Sequence, residues 1–572
     1  MASNTNYQVI GKNKKALFRL KAHRGEGMLL LAMNWKKGKP PMDFVGFSIE
    51  YKEPEGNRFF ALNNRISFLN PNGTVNSEAV SSLKAPFQKF RWVHFPRNAN
   101  LPGNFTYLVK PVFMNETDEL RFGEPQTIEI ELNRDTYPDK LNIAFTRGFV
   151  SSQAFVDKYE VGGGITKLLP SIAKAGLEYT PTHPKTKEAL SWMGFEATNE
   201  IETLLNQAIS DKNAKVYVIA YDLNLPKMLS QLLLLGNRVK IIIDDSAEHG
   251  KADAAETTAF KQLTEQGKAE VKRQHMGSLQ HNKMIIVEGT EVKAAVCGST
   301  NFSWRGFYVQ SNNAVIIRGA KAIEPFITAF DNYWKFDDTK NFVKTSSALW
   351  NDLRIKGIDA RVSFSPHAAS NALLEQIADD VQNQTLSNLF YSLAFLYQTT
   401  GAIREAITTT TQNNQIFVYG VSDKKTGGLD VQKPDGSLAP VYPSELSKNL
   451  PEPFKSEPKG GSGTRMHHKF IVIDFDKPTA RVYLGSYNFS SPADRKNGEN
   501  LLLIKDRKIA VAYMIEALRI FDHYHFRISV KEAKKTGKPL CLAKPPRNPG
   551  ETAWWQAYYT NPHKIKDREL FS

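Results

Sequence analysis

The sequence reads His-Asn-Lys-Met-Ile-Ile-Val-Glu at residues 281–288 and His-His-Lys-Phe-Ile-Val-Ile-Asp at residues 467–474. Both stretches consist of His-x-Lys, then four apolar residues, then an acid. A short apolar run between polar residues is typical of a buried β-strand. Because side chains alternate between the two faces of a strand, a His and a Lys two positions apart point the same way. The sequence therefore predicts two buried strands that each present a His and a Lys.

A second block follows each of these stretches at nearly the same distance. Residues 298–303 read Gly-Ser-Thr-Asn-Phe-Ser, and residues 485–490 read Gly-Ser-Tyr-Asn-Phe-Ser. The asparagine of the block lies 20 residues after the motif histidine in the first copy and 21 in the second. Eleven residues beyond each asparagine come Asn312 and Glu499. Two blocks repeated in the same order at the same spacing indicate an internal duplication.

Helical patterns alternate with short apolar runs upstream of each motif, which favours an α/β fold. In the first half the order is helix 197–209, strand 215–220, helix 225–235 and strand 239–244; in the second it is helix 370–383, strand 389–395, helix 401–411 and strand 415–421. Pro226 suits the first turn of its helix, where a missing N–H costs nothing. We therefore expect two α/β lobes with mixed sheets flanked by helices.

The N-terminal part has a different pattern. Short apolar runs separated by turn residues predict seven strands, at 17–20, 28–33, 44–51, 66–69, 87–93, 105–112 and 126–132. Seven short strands in about 115 residues fit an all-β sandwich. Residues 102–109 resemble the turn and sixth strand of fibronectin type III-like domains. The predicted domains are a β-sandwich over 1–138, a first α/β lobe over 139–340 and a second over 341–572.

Composition narrows the class of partner and the compartment. The 572 residues include 74 Lys and Arg against 59 Asp and Glu, a formal net charge of +15, which favours polyanionic partners. Two cysteines, Cys297 and Cys541, suit a reducing compartment. No apolar stretch reaches the roughly 18 residues of a transmembrane helix, and the N-terminus lacks a signal-peptide core. We expect a cytoplasmic protein, with secretion by a signal-independent route as the alternative. The oligomeric state is left open.

Two copies of the motif bring paired His, Lys, Ser and Asn side chains toward one seam. Lys and Asn can stabilise charge on the oxygens of a phosphodiester, and Ser adds a neutral donor. One neutral imidazole can attack phosphorus while the other, protonated, protonates the leaving alkoxide. The candidate catalytic residues are His281, Lys283, Ser299, Asn301, His467, Lys469, Ser486, Asn488 and Glu499.

Three further residues are expected to support the site. The motif acids Glu288 and Asp474 are expected to be structural. Asn312 occupies the position that Glu499 occupies in the second copy, and a carboxylate there can fix the tautomer of a histidine ring. The sequence does not say which ring Glu499 touches. No Cys-x2-Cys or His-x3-His pair is present, so no metal site is predicted.

The paired His-x-Lys-x4-Asp/Glu motifs with their Gly-Ser-x-Asn blocks resemble the phospholipase D superfamily over residues 142–572. The whole layout resembles bacterial phospholipase D-like proteins that carry a fibronectin-like N-terminal domain. The resemblance implies a phosphodiesterase or phosphatidyl transferase that needs no metal or other cofactor. It also implies that His281 is the nucleophile and His467 the general acid and base, the reverse order being the alternative. Glu288 departs from the aspartate of the family motif.

We expect a hydrolase that acts on nucleic acid, a nuclease, because the charge is basic and no membrane-docking stretch is apparent. A phospholipase D acting on phospholipid head groups is the first alternative, and an inactive binding or sensor protein is the second. The basic tract 531–547 and the aromatic residues in 554–559 either bind single-stranded nucleic acid or pack on the core. Residues 423–464, rich in Gly and Pro, are predicted to form a flap over the site.

Overall fold

The computed structural model describes residues 7–148 without 77, 97 and 133–135, residue 159, and residues 161–396, 401–423, 429–433, 438–441 and 466–572. The chain forms two compact units, residues 1–134 with 511–572 and residues 135–510. The sequence predicts a different division, into domains 1–138, 139–340 and 341–572. Because the two units are defined by compactness alone, the three-domain division stays a prediction. Most of segment 423–464, for which a flap is predicted, lies outside the described residues.

Among the described residues, the first unit contains two larger antiparallel sheets and a two-stranded one formed by Asn63–Asn64 and Val80–Ser81. Its strands are β1 (Gln8–Ile10), β2 (Phe18–Arg24), β3 (Leu29–Trp35), β4 (Phe44–Lys52), β5 (Phe60–Ala61), β6 (Asn63–Asn64), β7 (Val80–Ser81), β8 (Arg91–His94), β9 (Asn104–Met114), β10 (Leu120–Phe122) and β11 (Gln126–Glu131). One sheet has the order β1-β2-β3-β8, and the other has β10-β9-β4-β5 with β11 also paired to β9. Buried and exposed residues alternate along β11, as expected for a strand with one face on a core. The predicted all-β N-terminal region is confirmed.

One predicted strand of this unit is wrong. Residues 66–69 have no strand, because their backbone bonds elsewhere. The Asn64 side chain accepts the N–H of Ile66 at 3.1 Å, and the carbonyl of Ser67 accepts the N–H of Leu542 at 2.9 Å. A local turn and a distant part of the chain thus take the hydrogen bonds that a sheet would use.

The C-terminal segment completes the core of the first unit. Trp555 is buried in the same cluster as Phe90, and the Trp554 ring stacks on Phe90 at a centroid distance of 5.3 Å. The imidazole Nε2 of His23 lies 2.6 Å from the carbonyl of Phe571. Of the two alternatives for the C-terminal aromatic residues, packing on the core is therefore the one observed.

The second unit contains two larger mixed sheets. The first sheet has β12 (Leu141–Phe145), β13 (Lys215–Ala220), β14 (Val239–Ile243), β15 (Glu270–Arg273), β16 (Lys283–Glu288), β17 (Lys293–Gly298) and β18 (Asn313–Arg318). The second sheet has β19 (Asn351–Asp352), β20 (Asp359–Ser365), β21 (Asn388–Leu393), β22 (Phe417–Asp423), β23 (Leu429–Gln432), β24 (Leu438–Val441), β25 (Lys469–Ile473), β26 (Arg481–Gly485) and β27 (Glu499–Lys505). We call the halves that contain these sheets the first and second lobe.

Helices flank both sheets. They are α1 (Thr186–Ser210), α2 (Pro226–Leu235), α3 (Ala255–Glu265), α4 (Trp304–Tyr308), α5 (Ala320–Lys335), α6 (Thr339–Phe342), α7 (Leu374–Asn383), α8 (Ala402–Gln412), α9 (Ser491–Arg495), α10 (Arg507–Thr536), α11 (Ala557–Thr560) and α12 (Pro562–Leu570), the last two belonging to the first unit. Pro226 occupies the first turn of α2, as predicted. The boundary between the two units falls within α10.

The two sheets share the topology of six strands, β12-β18-β17-β16-β13-β14 and β20-β27-β26-β25-β21-β22, and differ at their edges, where β15 is parallel to β14 but β23 is antiparallel to β22. The first has the order β12-β18-β17-β16-β13-β14-β15, and the second has β19-β20-β27-β26-β25-β21-β22-β23-β24. In each, the motif strand (β16 or β25) lies between an antiparallel hairpin partner and a strand that starts a parallel pair. The duplicated α/β fold predicted from the motifs is confirmed, and each motif strand lies in the interior of its sheet.

Candidate active site

Each motif histidine lies just before its strand rather than on it. Strands β16 and β25 begin at Lys283 and Lys469, so the prediction that His and Lys share one regular strand is wrong. The residues before each histidine instead bridge to the other lobe. Gln280 pairs with Gly498, and Met466 pairs with Ser311. These bridges bring the two motifs together at one seam between the lobes.

The two histidines take their hydrogen-bond partners from opposite lobes. The Nδ1 of His281 lies 2.8 Å from the Oε2 of Glu499, which belongs to the second lobe. The Nδ1 of His467 lies 2.8 Å from the Oδ1 of Asn312, which belongs to the first. The question left open by the sequence is thus answered, since Glu499 contacts His281. Each ring is held through Nδ1, which leaves Nε2 as the nitrogen for chemistry.

The block serines orient these partners. Ser486 donates its hydroxyl to Glu499 at 2.7 Å, and Ser299 donates to the Oδ1 of Asn312 at 3.0 Å. The Nδ2 of Asn312 donates to the carbonyl of Gly306 at 2.9 Å, which fixes the amide with its oxygen toward His467. Both serines are fully buried. Their hydroxyls therefore lie behind the histidines, where they hold Glu499 and Asn312 in place.

The block glycines allow neighbouring strands to approach closely. Gly298 and Gly485 have φ values of 137° and 147°. A Cβ atom at these positions would lie 2.5 Å from the carbonyl oxygen of Asn313 and 2.2 Å from that of Asn500. Only glycine fits such a backbone without a shift. The glycines therefore let their backbone lie close to the adjacent strand. This close packing brings Ser299 and Ser486 within hydrogen-bond distance of their partners.

The reacting groups face one another across the seam. The rings of His281 and His467 have their centroids 6.5 Å apart at an interplanar angle of 70°. The Nζ of Lys283 donates to the carbonyl of His281, and that of Lys469 donates to the carbonyl of His467 at 2.7 Å. Both lysines are buried. Two imidazoles and two ammonium groups are therefore concentrated in a small volume, the composition that a phosphodiester anion requires.

The block asparagines carry unpaired amide oxygens. Among the described residues, the Oδ1 atoms of Asn301 and Asn488 are inaccessible to water and have no hydrogen-bond partner. A buried polar atom without a partner is costly and points to an absent ligand or to the flipped amide. In the flipped orientation the amide hydrogens would be available to phosphate oxygens.

Burial and charge shift the pKa values of these groups. Burial lowers the pKa of His281, and Glu499 opposes that shift. Burial lowers the pKa of His467 well below its usual value, and the charges of Lys469 and Lys283 lower it further. Burial alone would raise the pKa of Glu499, but His281 and Lys283 hold it below its usual value. Burial and the two lysines thus favour the neutral form of His467, whereas His281 and Glu499 each stabilise the charged form of the other.

We expect kcat/KM to fall above about pH 8. Burial lowers the pKa of Lys283 to about 8, so the free protein loses this ammonium group as the pH rises through that value. Because kcat/KM reports the ionisation of the free enzyme, the loss should appear as an alkaline limb. Rate profiles from pH 6 to 10 measure it. A Lys283→Arg variant keeps its charge, so a limb that stays at pH 8 in that variant would contradict the assignment.

The two motif acids have different environments. Asp474 is fully buried and accepts the main-chain N–H of Leu386 at 3.0 Å and that of Ser387 at 2.7 Å. Glu288 is exposed and accepts only the Tyr217 hydroxyl, at 3.2 Å, among the described residues. In the first lobe it is Asp211, and not the motif acid, that accepts main-chain N–H groups of a neighbouring turn: its carboxylate accepts the N–H of Glu291 at 2.8 Å. Both motif acids lie away from the reacting groups.

The middle residues of the motifs face the other lobe. Asn500 donates its Nδ2 to the Oδ1 of Asn282 at 3.0 Å. The Nδ1 of His468 lies 3.4 Å from the Nδ2 of Asn313, and its ring packs edge-on against Phe145. His468 therefore belongs to the packing between lobes and not to the reacting groups.

Sequence reasoning missed a second group of ionisable residues behind the first motif. Ligand-type atoms of Asp222, His249 and Glu256 lie within 4.8 Å of one another. Because these residues come from three separate elements and follow no motif spacing, the sequence carries no signal that assembles them. The prediction that the protein needs no metal rests on the family resemblance and on the lack of a metal-ligand spacing in the sequence, and it stays a prediction.

Comparison with known proteins gives the family. The family model described as "Cardiolipin synthase, PLD-like domain" matches twice, at residues 201–334 and 393–520, once in each lobe. Residues 201–334 and 393–520 thus each match the PLD-like domain of the phospholipase D superfamily, whose members act on phosphodiesters. No helix among the described residues is long and apolar enough to cross a bilayer.

Individual relatives match over short stretches. A phospholipase D of Rickettsia prowazekii is 48% identical over 48 residues, which is 8% of this chain and 22% of that protein. A mitochondrial cardiolipin hydrolase of Xenopus tropicalis is 41% identical over 59 residues, 10% of this chain and 26% of that protein. The chain thus spans about a quarter or less of the length of these relatives. Phosphatidylserine synthase of Haemophilus influenzae is similar in structure, with 15% identity, a TM-score of 0.39 and coverage of 65% of this chain and 92% of that one.

Proposed function

We propose that the protein hydrolyses phosphodiester bonds through a covalent phosphohistidine on His281, and that its substrate is nucleic acid. The observation that carries the chemistry is the crossed pairing of the two rings, His281 with a carboxylate and His467 with a neutral amide. The match of each lobe to a domain of enzymes that act on phosphodiesters supports the same class of reaction.

The carboxylate partner suits a nucleophile. With Nδ1–H donated to Glu499, the lone pair of His281 is on Nε2 and can form the P–N bond. The ring becomes cationic as that bond forms, and the adjacent carboxylate stabilises the new charge. Lys283 and Lys469, together with the asparagine amides, would hold the non-bridging oxygens of the phosphate.

The amide partner suits an acid and base. Asn312 accepts Nδ1–H from His467 in either charge state but gives little stabilisation to an imidazolium, so the protonated ring is a strong acid. The bound phosphodiester anion favours that protonated form by partly balancing the lysines. His467 then protonates the departing alkoxide as the P–O bond breaks. In the second step its neutral Nε2 takes a proton from water, water attacks phosphorus, and the P–N bond breaks.

Two features favour nucleic acid as the substrate. The net charge of +15 attracts polyanions, and the site itself concentrates the two buried cations Lys283 and Lys469 beside the histidines. A cytoplasmic location, suggested by the two free cysteines, belongs to the same proposal. Phospholipid is the second candidate substrate, because the curated relatives are a phospholipase D and a cardiolipin hydrolase by name.

A panel of substrates tests the proposal. Plasmid, single-stranded DNA, RNA, and vesicles of phosphatidylcholine and of cardiolipin are offered in parallel to the unmodified protein and to the His467→Ala variant. We expect strand cleavage that is lost in the variant and that weakens steeply between 50 and 200 mM salt. Head-group release without strand cleavage would replace nucleic acid by phospholipid. Absence of cleavage of every substrate would favour the alternative that the protein is an inactive binding or sensor protein.

We expect chelators to leave turnover within about threefold of its starting value, because the two imidazoles and the lysines supply every role that a metal would have. The measurement compares initial rates after dialysis against EDTA with rates after mock dialysis. Complete loss of activity in EDTA that returns on addition of Mg²⁺, Mn²⁺ or Zn²⁺ would exclude the metal-free reaction.

A further inference from the structure

An imidazole among carboxylates lies directly behind the first motif. The Nδ1 of His249 is 2.9 Å from the Oδ2 of Asp244, and its Nε2 is 3.2 Å from the Oδ1 of Asp222. Glu256, which is buried, completes the group. Arg273 donates from Nη2 to the main-chain carbonyls of Asp244 and His249. Both ring nitrogens of His249 are thus already engaged by carboxylates that come from two different strand ends.

These contacts make His249 a cation. Burial alone would lower the pKa of His249, but hydrogen bonds to Asp222 and Asp244 raise it to about 10, with a further contribution from Glu256. Both ring nitrogens then donate, and the ring ties the end of β13 to the end of β14. An imidazolium between two carboxylates is a rigid link because its two N–H directions are fixed by the ring.

This link reaches the first motif in two ways. The ring of Tyr221 packs edge-on against His249 at a centroid distance of 4.5 Å and against His281 at 4.7 Å. The Nζ of Lys283 lies 4.6 Å from the centre of the same tyrosine ring. In addition, the Oδ1 of Asp244 accepts the main-chain N–H of Gln280 at 2.7 Å, the residue just before His281. A displacement of His249 would therefore reach both the ring and the backbone of His281.

The second lobe is built differently at the position of the tyrosine. The N–H of Tyr221 donates to the carbonyl of Asn282 at 3.2 Å, and the N–H of Ala394 makes the matching bond to His468 at 2.9 Å. The aromatic ring next to the second motif is that of the following residue, Phe395, whose centre lies 5.9 Å from the Nζ of Lys469. The tyrosine that joins His249 to a motif histidine therefore belongs to the lobe of His281.

We propose that His249, held at both ring nitrogens by Asp222 and Asp244, is a positioning residue for the nucleophile. It acts through Tyr221 and Gln280 to hold the His281 ring in the orientation required for attack on phosphorus. This inference rests on the proposed function, because it assumes that His281 is the residue that becomes phosphorylated. It assigns His249 to the first step of the reaction alone, since neither the tyrosine nor the network touches His467 in the contacts described above.

The test separates the two steps with bis(p-nitrophenyl) phosphate under single-turnover conditions. We expect His249→Ala to slow formation of the phosphohistidine by about 10- to 100-fold, the cost of displacing a reacting group by roughly 1 Å. Breakdown of the phosphohistidine and KM should change by less than about threefold. The matched control is Asp380→Asn, which breaks the buried ion pair of Asp380 with Arg481 in the second lobe and should slow neither step.

A double-mutant cycle tests the route through the tyrosine. Tyr221→Ala should also slow the first step, and the double variant should be slowed by less than the product of the two single effects, because the two changes remove parts of one support. Tyr221→Phe, which keeps the ring, should retain the rate within about threefold. If His249→Ala does not fold, as judged by thermal unfolding, Tyr221→Ala and His249→Gln carry the same test. Additive effects, or equal slowing of both steps, would overturn the proposal.

Zinc binding gives an independent outcome. Asp222, His249 and Glu256 could also surround a divalent cation, which would displace the proton from the Nε2 of His249. Equilibrium dialysis of the unmodified protein against ZnCl₂ distinguishes a zinc site from a protonated His249 held by carboxylates. We expect no zinc to remain bound after dialysis against buffer. One tightly held zinc per chain that His249→Ala abolishes would overturn the imidazolium role. Absence of any phosphohistidine in the unmodified protein would instead refute the proposed function and leave His249 without a nucleophile to position.

Discussion

The His467→Ala protein is expected to release one equivalent of p-nitrophenol from bis(p-nitrophenyl) phosphate and then to stop. The nucleophile His281 and its partner Glu499 are intact in this variant, so the P–N bond can form. p-Nitrophenolate leaves without needing a proton, so the missing acid matters little in the first step. The second step needs His467 to take a proton from water. We therefore expect steady-state turnover to fall by about 10²- to 10⁴-fold while the burst survives.

Rapid-quench absorbance gives the size of the burst, and mass spectrometry under alkaline conditions locates the phosphoryl group on the peptide that contains His281. A natural substrate provides the control, because its alkoxide is a poor leaving group and should give no burst in the same variant. A label on the peptide that contains His467 in the unmodified protein, or on a serine, would contradict the assigned roles.

The second large effect is expected for His281→Ala, which should show neither a burst nor a covalent intermediate with any substrate. The loss of turnover should be at least about 10⁴-fold, because the variant lacks the imidazole that is proposed to form the P–N bond. The double variant with His467→Ala should be no worse than His281→Ala alone, since residues that act as a unit are not additive. Steady-state assays and the same burst experiment measure both. A full burst in His281→Ala would reverse the order of the two histidines.

The residues that perform the chemistry could be predicted from the sequence, but their hydrogen-bond partners in the other lobe could not. Residue type and spacing marked both histidines, both lysines and the blocks, because the motif is local and occurs twice. The crossed pairs join residues 218 and 155 positions apart in the chain, and no local pattern encodes which lobe supplies which partner. The block serines could not be placed from the sequence either. Their hydroxyls are predicted to face the substrate, whereas the packing of the strands turns Ser486 toward Glu499 and Ser299 toward Asn312.

Fold prediction succeeded where periodicity is strong. The alternating strands of the sandwich and the repeated strand–helix order of the lobes follow from patterns within ten to twenty residues. The strand predicted at residues 66–69 failed because its backbone is bonded by Leu542, a residue far away in sequence. The departure of Glu288 from the motif aspartate has a similar explanation, since Asp211 supports the turn after β16 from another element. Long-range hydrogen bonds decided each of these cases.

The C-terminal aromatic residues determine when the N-terminal core can finish folding during synthesis. Phe90 leaves the ribosome early, but Trp554, which stacks on it, is made 464 residues later. At synthesis rates of about 5–20 residues per second, the sandwich waits roughly 20 to 90 seconds for the segment that closes its core. During that interval Phe44 and Phe90 lack the Trp554 ring that packs on them in the finished protein, so the nascent N-terminal part exposes apolar surface. A ribosome that stalls within the last lobe would release a chain whose first-made part cannot finish folding.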